Sequence, residues 1–377
     1  MFDSYKIHIT FLFVILIPSV FYGQRFAIIS DIHGATAATA EVSALVRSWN
    51  PDFIVCSGDN NFACAANIDG QVGPYYHEFI YPYTGTYGPG DTANRYFPAM
   101  GNHDEDCVGI TIFQSYFVLP GNERYYDFVK GNVHFFCLNS NPDEPDGVAD
   151  TSIQALWLKN KLENSTSLYK IVYFHHPAFS SSTTHGSTVY MRWPFKQWGA
   201  TAVFSGHDHV YERFLINGML YYTCGTGGGG LYSIVSPIAG SQFFDITDHG
   251  AMLVVADTDS ISFKFINTND SLIENYTIPV VLTGIAGDNS GKDYFNIGIY
   301  PNPATDHIFV EINNIDLPEK ITIYDAFGQE ILVKSIDLNS GEIIKNIDVL
   351  NFPEGLYFLR VDSENGYGVG KFIINKK

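Results

Sequence analysis

The chain has 377 residues, 46% of them hydrophobic and 16% charged, a balance that excludes a wholly disordered protein. At roughly 150 residues per domain, this length predicts two or three domains with room for a buried core. Asp and Glu number 40 against 21 Lys and Arg, a formal charge of −19, so no nucleic-acid-binding surface or adhesion to an anionic membrane is expected unless bound metals supply local positive charge.

Ile7 to Val20 is an apolar run broken by His8, Thr10, Pro18 and Ser19. It is shorter than the ~20 residues of a membrane span and leads straight into globular sequence. A signal peptide over residues 1–23 is therefore expected, cut between Gly23 and Gln24. The fit is imperfect, because Lys6 is its one basic residue and Phe21-Tyr22-Gly23 is no small-x-small site. An uncleaved anchor or a buried strand is the alternative. No later segment is long and apolar enough to span a membrane, so none is expected after signal removal.

Short, nearly continuous apolar runs follow at Phe26 to Ser30, Phe53 to Ser57, Val133 to Asn139, Lys170 to Phe174, Ala202 to Ser205 and Met219 to Cys224. They have the pattern of strands buried on both faces. Ala37 to Trp49 and Ile153 to Leu162 read as helices, with Asp150, Thr151 and Ser152 available to cap the second. The alternation predicts a layered α/β domain. Phe62 to Tyr96, rich in Tyr, Gly and Pro, reads as a long surface excursion near the site; its tyrosines Tyr75, Tyr76, Tyr81, Tyr83 and Tyr87 either line a cleft or pack the loop. From Phe243 to Val281 the pattern is purely β. The run TGIAGDNSGKD, Thr283 to Asp293, has linker composition. Ile297 to Lys377 then shows short β runs and turns, a separate small β-sandwich. The domain boundaries read as 1–23, 24–283, 284–293 and 294–377.

The five cysteines fit no CxxC metal pattern. Cys56, Cys137 and Cys224 sit in strand runs and read as buried small hydrophobes, whereas Cys64 and Cys107 lie in loops and are the better candidates for a disulfide.

Five polar blocks punctuate the first domain: Asp31-Ile32-His33, Gly58-Asp59-Asn60, Gly101-Asn102-His103-Asp104, His175-His176 and Gly206-His207-Asp208-His209. Each follows a strand run, the third following Phe97 to Met100. Ligand groups in open α/β sheets gather outside the carboxyl ends of strands. Imidazole and carboxylate together suit borderline divalent metals. In Asp31-x-His33 and His207-x-His209, alternate residues on extended chain can face one ion or two neighbours. An Asp after the Gly58 turn can offer one oxygen to each of two ions. Two ions about 3.5–4 Å apart clamp a phosphoryl group and activate a bridging water.

The blocks DIH, GDN, GNHD, VYFH and GHDH, in this order over residues 31 to 209, resemble the calcineurin-like metallophosphoesterases. The resemblance covers about Arg25 to Val281. It implies a four-layer double β-sheet sandwich flanked by helices, with a dinuclear site. One metal would be held by Asp31, His33, Asp59 and His209, the other by Asp59, Asn102, His175 and His207, with Asp59 bridging. His103 would protonate the leaving oxygen, Asp104 would orient its ring, and Asn102, His103 and His176 would contact substrate. The layout from GDNNF through VYFHHPAFSS is similar to purple acid phosphatases. Those pair a DxG block with GDxxY, whose tyrosine binds ferric iron; here the first block is DIH and Phe62 stands at the tyrosine position. The expectation is a site without tyrosinate and without a purple band. The run Gly225 to Gly230 reads as a loop packed under the site, since no Lys-Ser/Thr follows it. His8, His77, His134, His185 and His249 read as ordinary core or surface histidines.

IYPNPATDHIFVEI, ITIYDAFGQEIL, GLYFLRV and the closing GKFIINKK resemble the type A sorting domain of the type IX secretion system. This implies that the protein engages that machinery and is secreted or displayed on the surface of a Gram-negative cell; a generic adhesive sandwich is the alternative. Together the two resemblances imply an exported phosphomonoesterase, a metal-dependent, acid phosphatase-like hydrolase of small phosphoesters. It would act by attack of a metal-bridging hydroxide, with two divalent or mixed-valence ions (Fe, Zn or Mn) as cofactors. A phosphodiesterase or nucleotide hydrolase on the same site, and a non-catalytic surface metal-binding protein, are the alternatives.

Overall fold

The computed structural model describes residues 23–34, 36–62, 67–105, 110–279, 293–295, 297–312, 318–325, 329–335, 344–364 and 366–376. Residues 1–22 of the expected signal segment, linker residues 284–292 and the candidate pair Cys64 and Cys107 lie outside the described residues.

The first domain begins with β1 (Gln24–Ile29), α1 (Ala37–Ser48), β2 (Phe53–Cys56), α2 (Asp69–Tyr76), β3 (Tyr96–Pro98), α3 (Asn102–Glu105) and α4 (Thr111–Tyr116). It continues through β4 (Tyr126–Lys130), β5 (Val133–Cys137), α5 (Ile153–Asn164), β6 (Tyr169–Tyr173), α6 (Phe195–Trp198), β7 (Ala202–Ser205), β8 (Tyr211–Ile216) and β9 (Met219–Cys224). It closes with β10 (Ser241–Asp245), β11 (Gly250–Ala256), β12 (Ser260–Asn267) and β13 (Leu272–Pro279). Two mixed sheets result, ordered β13-β12-β11-β1-β2-β3 and β10-β8-β9-β7-β6-β5-β4. In the first, β1, β2 and β3 run parallel; in the second, β5, β6, β7 and β9 do.

The continuous apolar runs have a physical reason. In the second sheet Phe135, Ile171, Tyr173 and Phe204 enter the core between the sheets. Their alternates Phe136, Val172, Phe174 and Val203 face a second core with Leu158 and Leu162 of α5 and Phe195 and Trp198 of α6. A period-2 chain with both faces buried has no polar face to show. Between the sheets, Phe26 meets Phe135 edge-on at 5.0 Å and Tyr211 stacks on Phe265 at 3.9 Å. On the outer side of the first sheet, α1 buries Val42, Leu45 and Val46. The architecture is helix, sheet, sheet, helix, as the resemblance implied.

Ser152 caps α5, its hydroxyl accepting from Ala155 N at 3.2 Å. Ser152→Ala is expected to lower stability by about 1 kcal/mol in urea unfolding, because one helix-end N–H loses its partner.

The stretch from Phe62 to Tyr96 departs from the expected surface excursion in its first half, while 81–95 is mostly exposed loop. It contains α2 and buries Ile68, Val72, Tyr76, Phe79 and Ile80 in the domain's main core. Gly70, Gly73 and Pro74 erase any helical signal from the sequence. Tertiary bonds hold the segment instead: Asp69 accepts from the hydroxyls of Tyr83 at 2.5 Å and Tyr116 at 2.9 Å, and from Thr86 N at 2.9 Å. Packing thus accounts for Tyr76 and Tyr83. Cys56, Cys137 and Cys224 are buried and unbridged, as expected.

The small C-terminal domain is all β. It comprises β14 (Asp293–Tyr294), β15 (Ile297–Tyr300), β16 (His307–Ile312), β17 (Pro318–Asp325), β18 (Glu330–Ser335), β19 (Ile344–Asp348), β20 (Gly355–Ser363) and β21 (Gly366–Ile374). Sheets ordered β14-β21-β20-β17-β18 and β15-β16-β19 close over Ile308, Val310, Ile321, Ile323, Leu359 and Phe372. No helix among the described residues is long and apolar enough to cross a membrane.

Candidate metal centre

All five blocks leave the carboxyl ends of parallel strands: the first three after β1, β2 and β3 of one sheet, the last two after β6 and β7 of the other. The loops are stitched to one another. Asp31 N donates to Gly58 O, Ile32 N to Asp59 O, each at 3.1 Å, and Gly206 N to His175 O at 3.0 Å. Asp31, His33, Asp59 and His207 have φ of 56°, 48°, 52° and 69°. Such left-handed backbone is uncommon for non-glycine residues and persists where the surroundings over-determine it. Here it falls on four of the seven expected ligands. A side chain at Gly101 would strike the Asp59 carboxylate, and one at Gly58 (φ 103°) the ring of His175.

The rings are oriented from behind. His175 Nδ1 donates to Ser57 O at 3.0 Å and His209 Nδ1 to Gly230 O at 2.8 Å, which leaves both Nε2 lone pairs facing inward. His175 Nε2 lies 3.3 Å from Asp59 Oδ1, 3.1 Å from Asn102 Oδ1 and 3.2 Å from His207 Nδ1. His209 Nε2 lies 3.5 Å from Asp31 Oδ1. His33 Nε2 is buried without a hydrogen-bond partner, an orphan that a cation would satisfy. Potential ligand atoms of Asp31, His33 and His209 lie within 4.8 Å of one another, as do those of Asp31, Asp59 and His175. Asp31 therefore belongs to both groups, whereas the sequence reading gave the shared place to Asp59. Nitrogen and carboxylate donors in this mixture suit iron, zinc or manganese.

The electrostatics match. Burial raises the pKa of Asp31, but the bond from His209 and the charges of His175 and His209 outweigh it and hold the carboxyl well below its usual range. His175 is pushed up to about 9: burial opposes protonation, and the adjoining Asp59 overcomes it. His209 is raised against burial by its bond to Asp31. Burial lowers His33 to about 4, and burial with the neighbouring His175 and His176 drives His207 far down. The proton on His175 competes with a cation for Nε2. Divalent-metal affinity is thus expected to rise with pH, up to about tenfold per unit, and to level off near the pKa of His175. Calorimetry in buffers of different ionisation enthalpy reads the released proton.

The third block is fixed by Asp104. Its buried carboxylate accepts from Gly101 N and Asn61 N at 2.8 Å, Asn60 N at 3.2 Å and Asn60 Nδ2 at 3.1 Å. Burial and nearby Asp59 push it up to about 7 despite those bonds. It faces the backbone of the second block rather than the ring of His103, where the resemblance had put it. His103 N donates to Asp59 Oδ1 at 3.1 Å, and its ring, with a side chain 33% exposed, has Nε2 4.0 Å from Asp59 Oδ2. His176 is held by Ser140, whose hydroxyl lies 2.9 Å from its Nδ1.

Phe62 occupies the place where tyrosine was missed. Its ring stacks on His33 at 3.8 Å and meets His103 edge-on at 4.8 Å. Gln71 of α2 clamps its backbone at both N and O, each at 2.8 Å. The glycine run packs under the site as expected: side chains at Gly227, Gly228 and Gly229 would collide with Ser30, Thr39 and His209.

Two site neighbours were not legible in the sequence. His185, read there as an ordinary core or surface histidine, lies with its ring 4.1 Å from that of His207, its loop held by Asp208 through His185 N and Gly186 N. Tyr232 stacks on His209 at 4.1 Å. His249 supports the glycine run by donating to Gly229 O at 2.7 Å.

Residues 24–211 match the family model for calcineurin-like phosphoesterases, and residues 298–375 that for secretion system C-terminal sorting domains. Purple acid phosphatase 23 of Arabidopsis thaliana is 28% identical over 248 residues, 55% of this chain and 53% of that protein. Purple acid phosphatase 15 of the same plant is 27% identical over 225 residues, 51% of this chain and 41% of that protein. The chain spans about half the length of these curated relatives. Two solved structures share the fold at a TM-score of 0.55. Purple acid phosphatase PPD1 from yellow lupin (Lupinus luteus) seeds is 17% identical over 68% of this chain and 53% of its own. GAP50, the anchor in the inner membrane complex of Plasmodium, is 18% identical over 69% and 90%. The chain therefore joins a calcineurin-like phosphoesterase domain to a secretion-system C-terminal sorting domain.

Proposed function

We propose that the protein is an exported phosphomonoesterase with a dinuclear metal site. The observation that carries this reading is the pair of carboxylate–imidazole groups meeting at Asp31. Asp31, His33, Asp59 and His209 would hold one ion, and Asp59, Asn102, His175 and His207 the other. Two such cations supply an activated water-derived nucleophile and neutralise charge on the phosphoryl oxygens.

The chain's own groups do the rest. Asn102, His176 and His185 hold phosphoryl oxygens. His103, partly exposed beside Asp59, gives a proton to the leaving oxygen. Asp104 keeps the third block against the second, so His103 is presented at a fixed distance. Hydrolysis exchanges the ester P–O bond for one to the oxygen of water, and the alcohol departs with the proton.

Residues 1–23 would direct export, 24–283 form the catalytic domain, 284–293 link, and 294–377 engage the type IX machinery. Elemental analysis of the mature protein is expected to find two equivalents of iron, zinc or manganese. Phosphate release from p-nitrophenyl phosphate should exceed that from its bis-ester and stop with a chelator. Metal-replete protein releasing no phosphate would overturn the reading.

A further inference from the structure

Among the described residues, the rim above the metal centre carries rings and no Lys or Arg donor. Tyr232 stands half-exposed over His209, and the exposed His185 over His207. On another side Tyr190 donates from its hydroxyl to Ser140 O at 3.1 Å, next to the Ser140 hydroxyl that holds His176.

The rim is built rather than loose. Its two loops pair through Ser182 and Ile234, and Thr183 N donates to Ser233 O at 3.0 Å. Beneath them the buried Glu212 carboxylate accepts from Ser181 N at 2.8 Å, Ser181 Oγ at 2.6 Å and Ser241 Oγ at 2.7 Å.

Among the described residues, no Lys or Arg donates to the five blocks or to these rings. The nearest in sequence, Arg192, is turned aside: its Nε donates to Ala178 O at 3.0 Å and its guanidinium covers Phe179 at 4.3 Å. A substrate bearing further phosphates would bring anionic charge to a chain of −19 with no Lys or Arg among the described residues of the rim to receive it. A neutral leaving group brings none, and a flat one gains contact with the rings.

We infer that the rim is a leaving-group subsite, and that the substrates are phosphomonoesters of neutral aromatic alcohols rather than polyphosphates. This rests on the phosphomonoesterase reading. The alternative is that the rings only brace the ligand histidines.

Benzyl and ethyl phosphate separate the two, since their leaving alcohols are similarly basic. In the metal-loaded full chain, kcat/KM for benzyl phosphate is expected to exceed that for ethyl phosphate about tenfold, with inositol hexakisphosphate below both. Tyr232→Leu and Tyr190→Leu should each cut the benzyl-to-ethyl ratio about threefold or more, and Tyr232→Phe should restore it. Calorimetry with benzylphosphonate and ethylphosphonate gives the same preference without turnover. A ratio near one in the unsubstituted protein, or a ratio unmoved by both leucine variants, overturns the inference. Absence of hydrolysis with the phosphonate preference intact would overturn the activity and leave the subsite standing.

Discussion

Asp31→Asn is expected to strip the centre of metal and to lower kcat/KM by about 10³-fold or more, because one substitution touches both ligand groups. The carboxylate is fully buried, accepts from His207 N through both oxygens (3.2 and 3.0 Å), and lies beside His209 Nε2. An amide removes the negative charge and turns an N–H toward one of those donors. It also leaves His209 buried without its partner, which costs more than the lost contact alone. Emission spectrometry of the purified variant, beside turnover with excess metal added, reads both effects. Full metal content with ordinary turnover would show that Asp31 holds no ion.

His103→Ala is expected to behave differently. Metal content should stay at the unsubstituted level, because His103 belongs to neither ligand group. Turnover of esters with strongly basic leaving alcohols should fall 10²- to 10⁴-fold, the usual worth of a positioned general acid. Turnover of p-nitrophenyl phosphate, whose leaving oxygen needs little protonation, should fall far less. Equal losses on both esters would remove the acid role and leave His103 as a support for Asp59, to which its backbone N–H already donates.

What the sequence made legible follows from how the chain buries itself. Phe135 and Phe136 sit in different cores, so β5 reads as an unbroken apolar run and its place in the layers is recoverable. The five blocks are equally readable, since each is short, polar and attached to the end of such a run. The helix α2 was hidden, because Gly70, Gly73 and Pro74 have no helical preference and the segment is held by Tyr83 and Tyr116 around Asp69. His185 and Tyr232 were hidden for another reason. They reach the centre from loops whose approach depends on Asp208, Glu212 and the Ser182–Ile234 bridge, contacts with no local pattern. Asp104 shows a third limit. A motif names the residue, and only the fold shows which backbone groups it faces.

The centre draws its donors from both sheets: Asp31, His33 and Asp59 from one, His175, His207 and His209 from the other. A pair of ions lodged there would act as a rivet across the sandwich, and its grip adds directly to the resistance of the fold to melting. Such a pocket has no counterpart in the unfolded chain, so capture of metal waits upon docking of the two halves. Whichever compartment sees that docking sets the menu of ions from which the protein is filled.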